Sequence, residues 1–255
     1  MHSQIILSAK SITKTFGAVV ALQDISMTLE AGEITGLVGD NGAGKSTLVK
    51  LISGVLRQDS GMLEFDGRLV NFTTPAQARA NGIETVYQDL SLTGNLTVWA
   101  NVHLGRELIK GPKFLNILDK AAMIKRTRQM LEQFAMNVPP IEAPVEALSG
   151  GQRQLIAIAR AAAWGSKLIL MDEPTAALGV AETQAVERII QGLRDSGFSV
   201  LLISHNLEQV FRITDRIWIL RRGQMIGQRI TKNTRPEEVV TMITGATATT
   251  SASQQ

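Results

Sequence analysis

The chain contains no cysteine at all. That excludes disulfide staples and thiolate-ligated metals, and it fits a reducing compartment such as the cytoplasm. Also missing is any run approaching the roughly 18 uninterrupted apolar residues that a membrane-spanning helix needs. The opening stretch MHSQIILSAKSITKTF has no basic flank ahead of a long apolar block, so it does not read as a secretory signal. Neither sign of charge dominates: 26 basic against 23 acidic residues leave a formal +3. That excess is too small to argue for a nucleic-acid partner. The clusters IKRTR (124–128) and LRR (220–222) read as solvated faces, and no internal repeat is visible. What is present is ordinary: 255 residues, 44% hydrophobic and 19% charged. A chain of that length buries about three quarters of its unfolded surface. Composition points to a soluble cytoplasmic protein and is silent about its task.

Short apolar runs alternate with amphipathic patterns. EITGLVG (33–39), ETVYQ (84–88), KLILMDE (167–173) and SVLLISH (199–205) read as buried strands, being too short for core helices and rich in branched residues. Between them lie one-sided helices: Leu48, Leu51, Ile52 and Val55; Leu155, Ile158, Ala159 and Ala162; Val186, Ile189, Ile190 and Leu193. Such alternation implies an α/β fold with a mainly parallel sheet and flanking helices. The opening third differs, with IILSAKSITKTF, ISMTLEAGE and GMLEFDGRLV reading as an antiparallel β-layer. The stretch from about 90 to 165 reads as an inserted α-helical subdomain broken by KGPKFLN, and the tail 246–255 as disordered.

Gly39-Asp40-Asn41-Gly42-Ala43-Gly44-Lys45-Ser46 fits G-x-x-x-x-G-K-[ST] in full, with a strand before it and an amphipathic helix after it. Gly42 and Gly44 allow backbone shapes in which successive N–H groups converge on phosphates, and the helix adds its positive end. Lys45 would place a point charge on the terminal phosphates, and the Ser46 hydroxyl would bind Mg²⁺. In LILMDEP a buried strand delivers Asp172 and Glu173 at its C-terminal end. Successive strand residues point opposite ways, which suits Asp172 to the Mg²⁺ and Glu173 to the attacking water. His205 ends a parallel strand and is expected at the same edge, near the γ-phosphate. Gln88, at another strand end, is a candidate for the metal and the water. A second anion cradle, EALSGGQRQLIAIAR (146–160), follows about a hundred residues after the first: a Ser-Gly-Gly turn entering a helix expected to begin near Gln152.

Taken together these residues resemble the nucleotide-binding subunit of an ATP-binding-cassette (ABC) transporter, from about residue 5 to 243, within a nucleotide-binding domain spanning 1–245. The resemblance implies a P-loop NTPase core and a helical arm ending in the signature helix. It implies Phe16 stacking on adenine, Gly39 to Ser46 and Thr47 as the phosphate loop, Gln88 as the Q-loop, Asp172 and Glu173 as the acidic pair and His205 as the switch histidine. Leu148, Ser149, Gly150, Gly151 and Gln152 match the family signature, which in such proteins contacts ATP held by a second, head-to-tail subunit. ATP with Mg²⁺, a homodimer and transmembrane permease subunits are therefore implied, on the cytoplasmic face of the membrane. One departure stands out: TAALGV puts Gly179 where the family usually has Asp. With GDNGAGKST, ETVYQD and LGRE (104–107), that feature is similar to single-cassette ATPases of ribose, xylose or fructose importers, which serve an extracytoplasmic sugar-binding protein. Against this stand a branched-chain amino acid or lipid transporter ATPase, a non-transport cassette acting on ribosomes, DNA or iron–sulfur assembly, and a catalytically idle regulator. The missing second cassette and coiled coil, and the intact Lys45, Asp172 and Glu173, weigh against the last two.

Overall fold

The computed structural model describes residues 4–111, 116–134, 139–176 and 178–246. Two long strands, β1 (Ile5–Phe16) and β2 (Val19–Glu30), precede β3 (Ile34–Val38) and α1 (Lys45–Ile52). Next come β4 (Ser60–Phe65), β5 (Arg68–Val70), α2 (Pro75–Ala80), β6 (Ile83–Val86) and α3 (Val98–His103). The arm continues with β7 (Ile109–Lys110), β8 (Ile117–Leu118), α4 (Lys120–Phe134) and α5 (Gly150–Ala162). The chain closes with β9 (Leu168–Asp172), α6 (Val180–Asp195), β10 (Ser199–Ile203), α7 (Leu207–Ile213), β11 (Arg216–Arg221), β12 (Gln224–Ile230) and α8 (Pro236–Thr244).

The central sheet has the order β12-β11-β3-β10-β9-β6 and is parallel except for β12. Its inner strands are apolar at consecutive positions because both faces are covered. Alternation then sorts one strand between two cores. Ile169 and Met171 join α5 and α6 on one side, whereas Leu168 and Leu170 join α1 and the β-layer on the other. Leu170 and Leu201 are fully buried, each gaining roughly 2 kcal/mol from lost water contact. The β-layer, ordered β2-β1-β4-β5, is antiparallel throughout. It turns Leu22, Ile25, Met27 and Leu29 inward onto α1.

Several expectations are corrected. α1 stops at Ile52, where Gly54 takes a left-handed φ of 74° and the Gly54 N–H bonds back to Leu51. A helix ended by such a glycine leaves Val55 outside, and it is 45% exposed. Within the arm the β7–β8 ribbon is strand, not helix, and positions 112–115 of KGPKFLN lie outside the described residues. Arg126 of the IKRTR cluster is exposed, as a solvated face requires, and also stacks on Trp164, 4.6 Å from the ring centroid. The tail from 247 onward also lies outside the described residues. Among the described residues no helix is long and apolar enough to cross a membrane.

The parallel strands all point one way, so the loops that follow β3, β6, β9 and β10 gather at one sheet edge. Those loops carry Gly39 to Gly44, Gln88, Glu173 and His205. This is the edge at which open α/β sheets bind ligands.

Candidate functional site

The loop from Gly39 to Gly44 joins β3 to α1 under close constraint. Gly44 has φ 106°, and a Cβ there would sit 2.7 Å from the Ala21 carbonyl oxygen and 2.8 Å from Leu22 Cδ2. At Gly39, φ 155°, an added Cβ would run into the carbonyl oxygen of Leu220. No residue with a side chain fits either place without moving backbone. The loop closes around its own lysine: Lys45 Nζ donates to the carbonyls of Gly39 at 2.6 Å and Asp40 at 2.9 Å. Burial pulls the Lys45 pKa down, opposed by the negative charges of Glu173, Asp172 and Asp40. Asp172 is pushed up from the ordinary carboxylate value, first by burial and next by Glu173, with Lys45 opposing. Lys45 and Asp172 are thus both held short of water, an arrangement that favours an incoming polyanion with its counter-ion.

A cavity of about 390 Å³ lies over this loop, lined by Asn41 to Thr47 together with Gln88, Asp172 and Glu173. Val19 and Val20, which open β2 just after the turn that follows Phe16, form part of its apolar side. Phe16 itself is half exposed, with the Lys14 ammonium 5.6 Å from its ring centroid, and is not among the lining residues. The sequence reading overlooked the valines; the exposed apolar pair in FGAVVAL was the available signal. Asp59 pins that end of β1, accepting from Lys14 Nζ at 2.6 Å and from the Thr15 N–H at 2.7 Å.

Glu173 corrects a simple strand argument. β9 ends at Asp172, and Glu173 takes a left-handed φ of 52°, so its direction comes from a turn and not from strand alternation. In that turn its carboxylate accepts the His205 N–H at 3.1 Å and approaches His205 Nδ1 at 2.7 Å. His205 lines an adjoining cavity of about 320 Å³ with Gly39, Asp40 and Asn41. Gln88 lies in a turn just past β6 and not at the strand end.

The second cradle lies elsewhere: Leu148 is buried and Ser149 exposed, and none of Leu148 to Gln152 lines either cavity. α5 begins at Gly150, earlier than expected, because Ser149 caps it: Ser149 Oγ accepts the Gln152 N–H at 3.2 Å, and Gln152 Oε1 accepts the Ser149 N–H at 3.0 Å. Glu182 joins this turn to the next helix start, accepting from the Gly151 N–H at 3.4 Å and the Gly179 N–H at 3.2 Å. Gly179 has an ordinary φ of −69°. Its position does not demand glycine, but an Asp there would face the Glu182 carboxylate, whose Oε2 lies 3.9 Å from an added Cβ.

The match to known proteins agrees with this geometry. The family model for ABC transporters covers residues 22–176. The chain is 44% identical to a xylose/arabinose import ATP-binding protein of Sulfolobus acidocaldarius, over 94% of each chain. It is also 44% identical to a fructose import ATP-binding protein of Rhizobium meliloti, over 96% of each. Among solved structures it resembles a dimeric ATP-binding cassette in a post-hydrolysis state with ADP and Pi, with a TM-score of 0.74, 25% identity, and coverage of 89% of this chain and 99% of that one. With the phosphate loop, the acidic pair and the histidine at one sheet edge, this chain belongs to the ABC transporter family as one of its ATP-hydrolysing cassettes.

Proposed function

We propose that this cassette energises monosaccharide import, and that two copies clasp each ATP between them. One observation carries the shared-site reading. The cavity holding Lys45, Asp172 and Glu173 has no contribution from Ser149 to Gln152, whose helix start faces outward. A helix N-terminus with an exposed hydroxyl is an anion site, and a second copy placed head to tail would bring it over the γ-phosphate. The relatives named for import of xylose/arabinose and of fructose support a sugar as the cargo. The dimeric relative with ADP and Pi supports the pairing.

In this reading the Asn41–Thr47 backbone and Lys45 hold the phosphates, and Val19 and Val20, with Phe16 nearby, offer apolar surface to the base. Mg²⁺ suits the donors present: Ser46 hydroxyl, Gln88 amide and Asp172 carboxylate line one cavity. Among the described residues no cluster of three acidic or histidine side chains forms a metal cage. That fits an ion that keeps waters and shares the substrate's phosphates. When bound it neutralises charge on the β- and γ-phosphates. Glu173, anchored by the His205 N–H, accepts a proton from the attacking water as its oxygen bonds to phosphorus and the bridge to ADP breaks. Hydrolysis splits the charge that held the two copies together, and they part.

A groove of about 670 Å³ between the Gln88 turn and the arm, with Arg79, Arg106, Arg160 and Trp164 in its wall, is the place for a permease segment on the cytoplasmic membrane face. An extracytoplasmic sugar-binding protein would deliver the cargo to that permease. The test is Glu173→Gln with Mg-ATP. ATP binding persists, hydrolysis falls by about 100-fold or more, and a dimer appears by size-exclusion chromatography. A variant that binds ATP yet stays monomeric, alone and with its permease, would overturn the shared site.

A further inference from the structure

Gln209 on α7 is completely buried, yet polar groups surround its side chain. Its Nε2 donates to Thr175 Oγ1 at 2.9 Å and to Glu187 Oε1 at 3.4 Å, while its Oε1 accepts from Ser204 Oγ at 3.0 Å. Its own N–H donates to Asn206 Oδ1 at 3.1 Å, and the Asn206 N–H donates to Ser204 Oγ at 3.1 Å. Glu187 is buried in turn and is held by Arg212 through bonds of 2.7 and 3.2 Å. Thr175 belongs to the turn that follows Glu173, and Ser204 directly precedes His205. One amide therefore joins the segment bearing the carboxylate to the segment bearing the imidazole.

We propose that Gln209 is a positioning residue for ATP hydrolysis, fixing the two loops so that Glu173 and His205 meet. The inference rests on the reading that these two residues act on ATP. An amide suits the position because it supplies two donors and an acceptor at one point. A carboxylate would repel Glu187, and an apolar chain would leave Thr175 and Glu187 short of a donor. A buried network whose members are all satisfied holds one geometry, and small displacements of a reacting group carry large rate penalties.

The experiment uses the full chain with Mg-ATP and the substitutions Gln209→Met, Thr175→Val and Ser204→Ala. Gln209→Met lowers kcat by about 10-fold, the size typical of outer-shell partners, while ATP affinity is unchanged. Thr175→Val and Ser204→Ala each give a smaller fall in kcat. In a His205→Ala background, which removes the imidazole but keeps the backbone N–H that Glu173 accepts, Gln209→Met causes a smaller further loss. A change in melting temperature alone, or an equal loss in both backgrounds, overturns the proposal. Should Gln209→Met fail to fold, unchanged kcat in both the Thr175 and Ser204 variants overturns it equally. Undiminished hydrolysis by Glu173→Gln would instead sink the reading of the site itself. A slow Glu173→Gln with an unaffected Gln209→Met sinks only this inference.

Discussion

The two segments proposed to hold phosphate are built on different principles. The loop from Gly39 to Ser46 is tight and inward-looking: left-handed glycines press against neighbouring carbonyls, and Lys45 is bound by its own loop with two carboxylates close behind. The turn at Ser149 to Gln152 has only ordinary backbone angles, stands at the surface, and is satisfied by its own capping box and by Glu182. The first is a pocket in which a cation and a carboxylate are both partly desolvated. The second is a finished helix start that can lend its hydroxyl and its dipole to something arriving from outside.

The strongest way to break that contrast is Lys45→Ala. If the pocket does the binding, ATP affinity measured by equilibrium titration falls by at least about 100-fold, near 3 kcal/mol for lost charge-assisted bonds. Ser149→Arg is expected to abolish turnover while leaving ATP affinity of the isolated chain intact. It costs only the roughly 1 kcal/mol of a lost N-cap, seen in thermal melting. Reduced ATP binding by that variant would place the serine in its own chain's pocket. A paired glycine test sharpens the comparison further. Gly44→Ala is expected to destabilise the chain by about 2 kcal/mol through forced left-handed strain and backbone contact. Gly150→Ala meets only the flexible end of Leu178 at 3.2 Å and is expected to shift stability by less than about 1 kcal/mol.

The smallest effect concerns Asp59, which fixes the β1 end beside the pocket. The Lys14 ammonium first, then the Thr15 hydroxyl and N–H, hold its carboxyl from 3.8 down to about 2. A depressed carboxyl pKa contributes stability above the unfolded value and loses it as pH falls through the folded one. Asp59→Asn is therefore expected to flatten the pH dependence of melting between 3.8 and about 2.

How far the sequence could be read follows the same contrast. Gly39 to Ser46 and Asp172 were legible because local chemistry dictates them: a left-handed backbone demands glycine, and a buried strand end fixes which way Asp172 faces. α5 starts at Gly150, two residues ahead of the expected Gln152, because Ser149 and Gln152, at the right spacing, form a capping box. The stacking of Arg126 on Trp164 and the buried bonds of Gln209 were not legible. Each depends on segments far apart in the chain, and no local period announces them.

Glu173 stands in a left-handed conformation at φ 52°. For a residue with a Cβ that posture costs on the order of 1 kcal/mol, and glycine would relieve it at once. A sturdier polypeptide is thus a single substitution away at this position, and on the role proposed for Glu173 it would be an inert one. Screens that select variants of this chain for heat resistance alone will tend to drift toward that loss, so each round has to be scored for phosphate release as well.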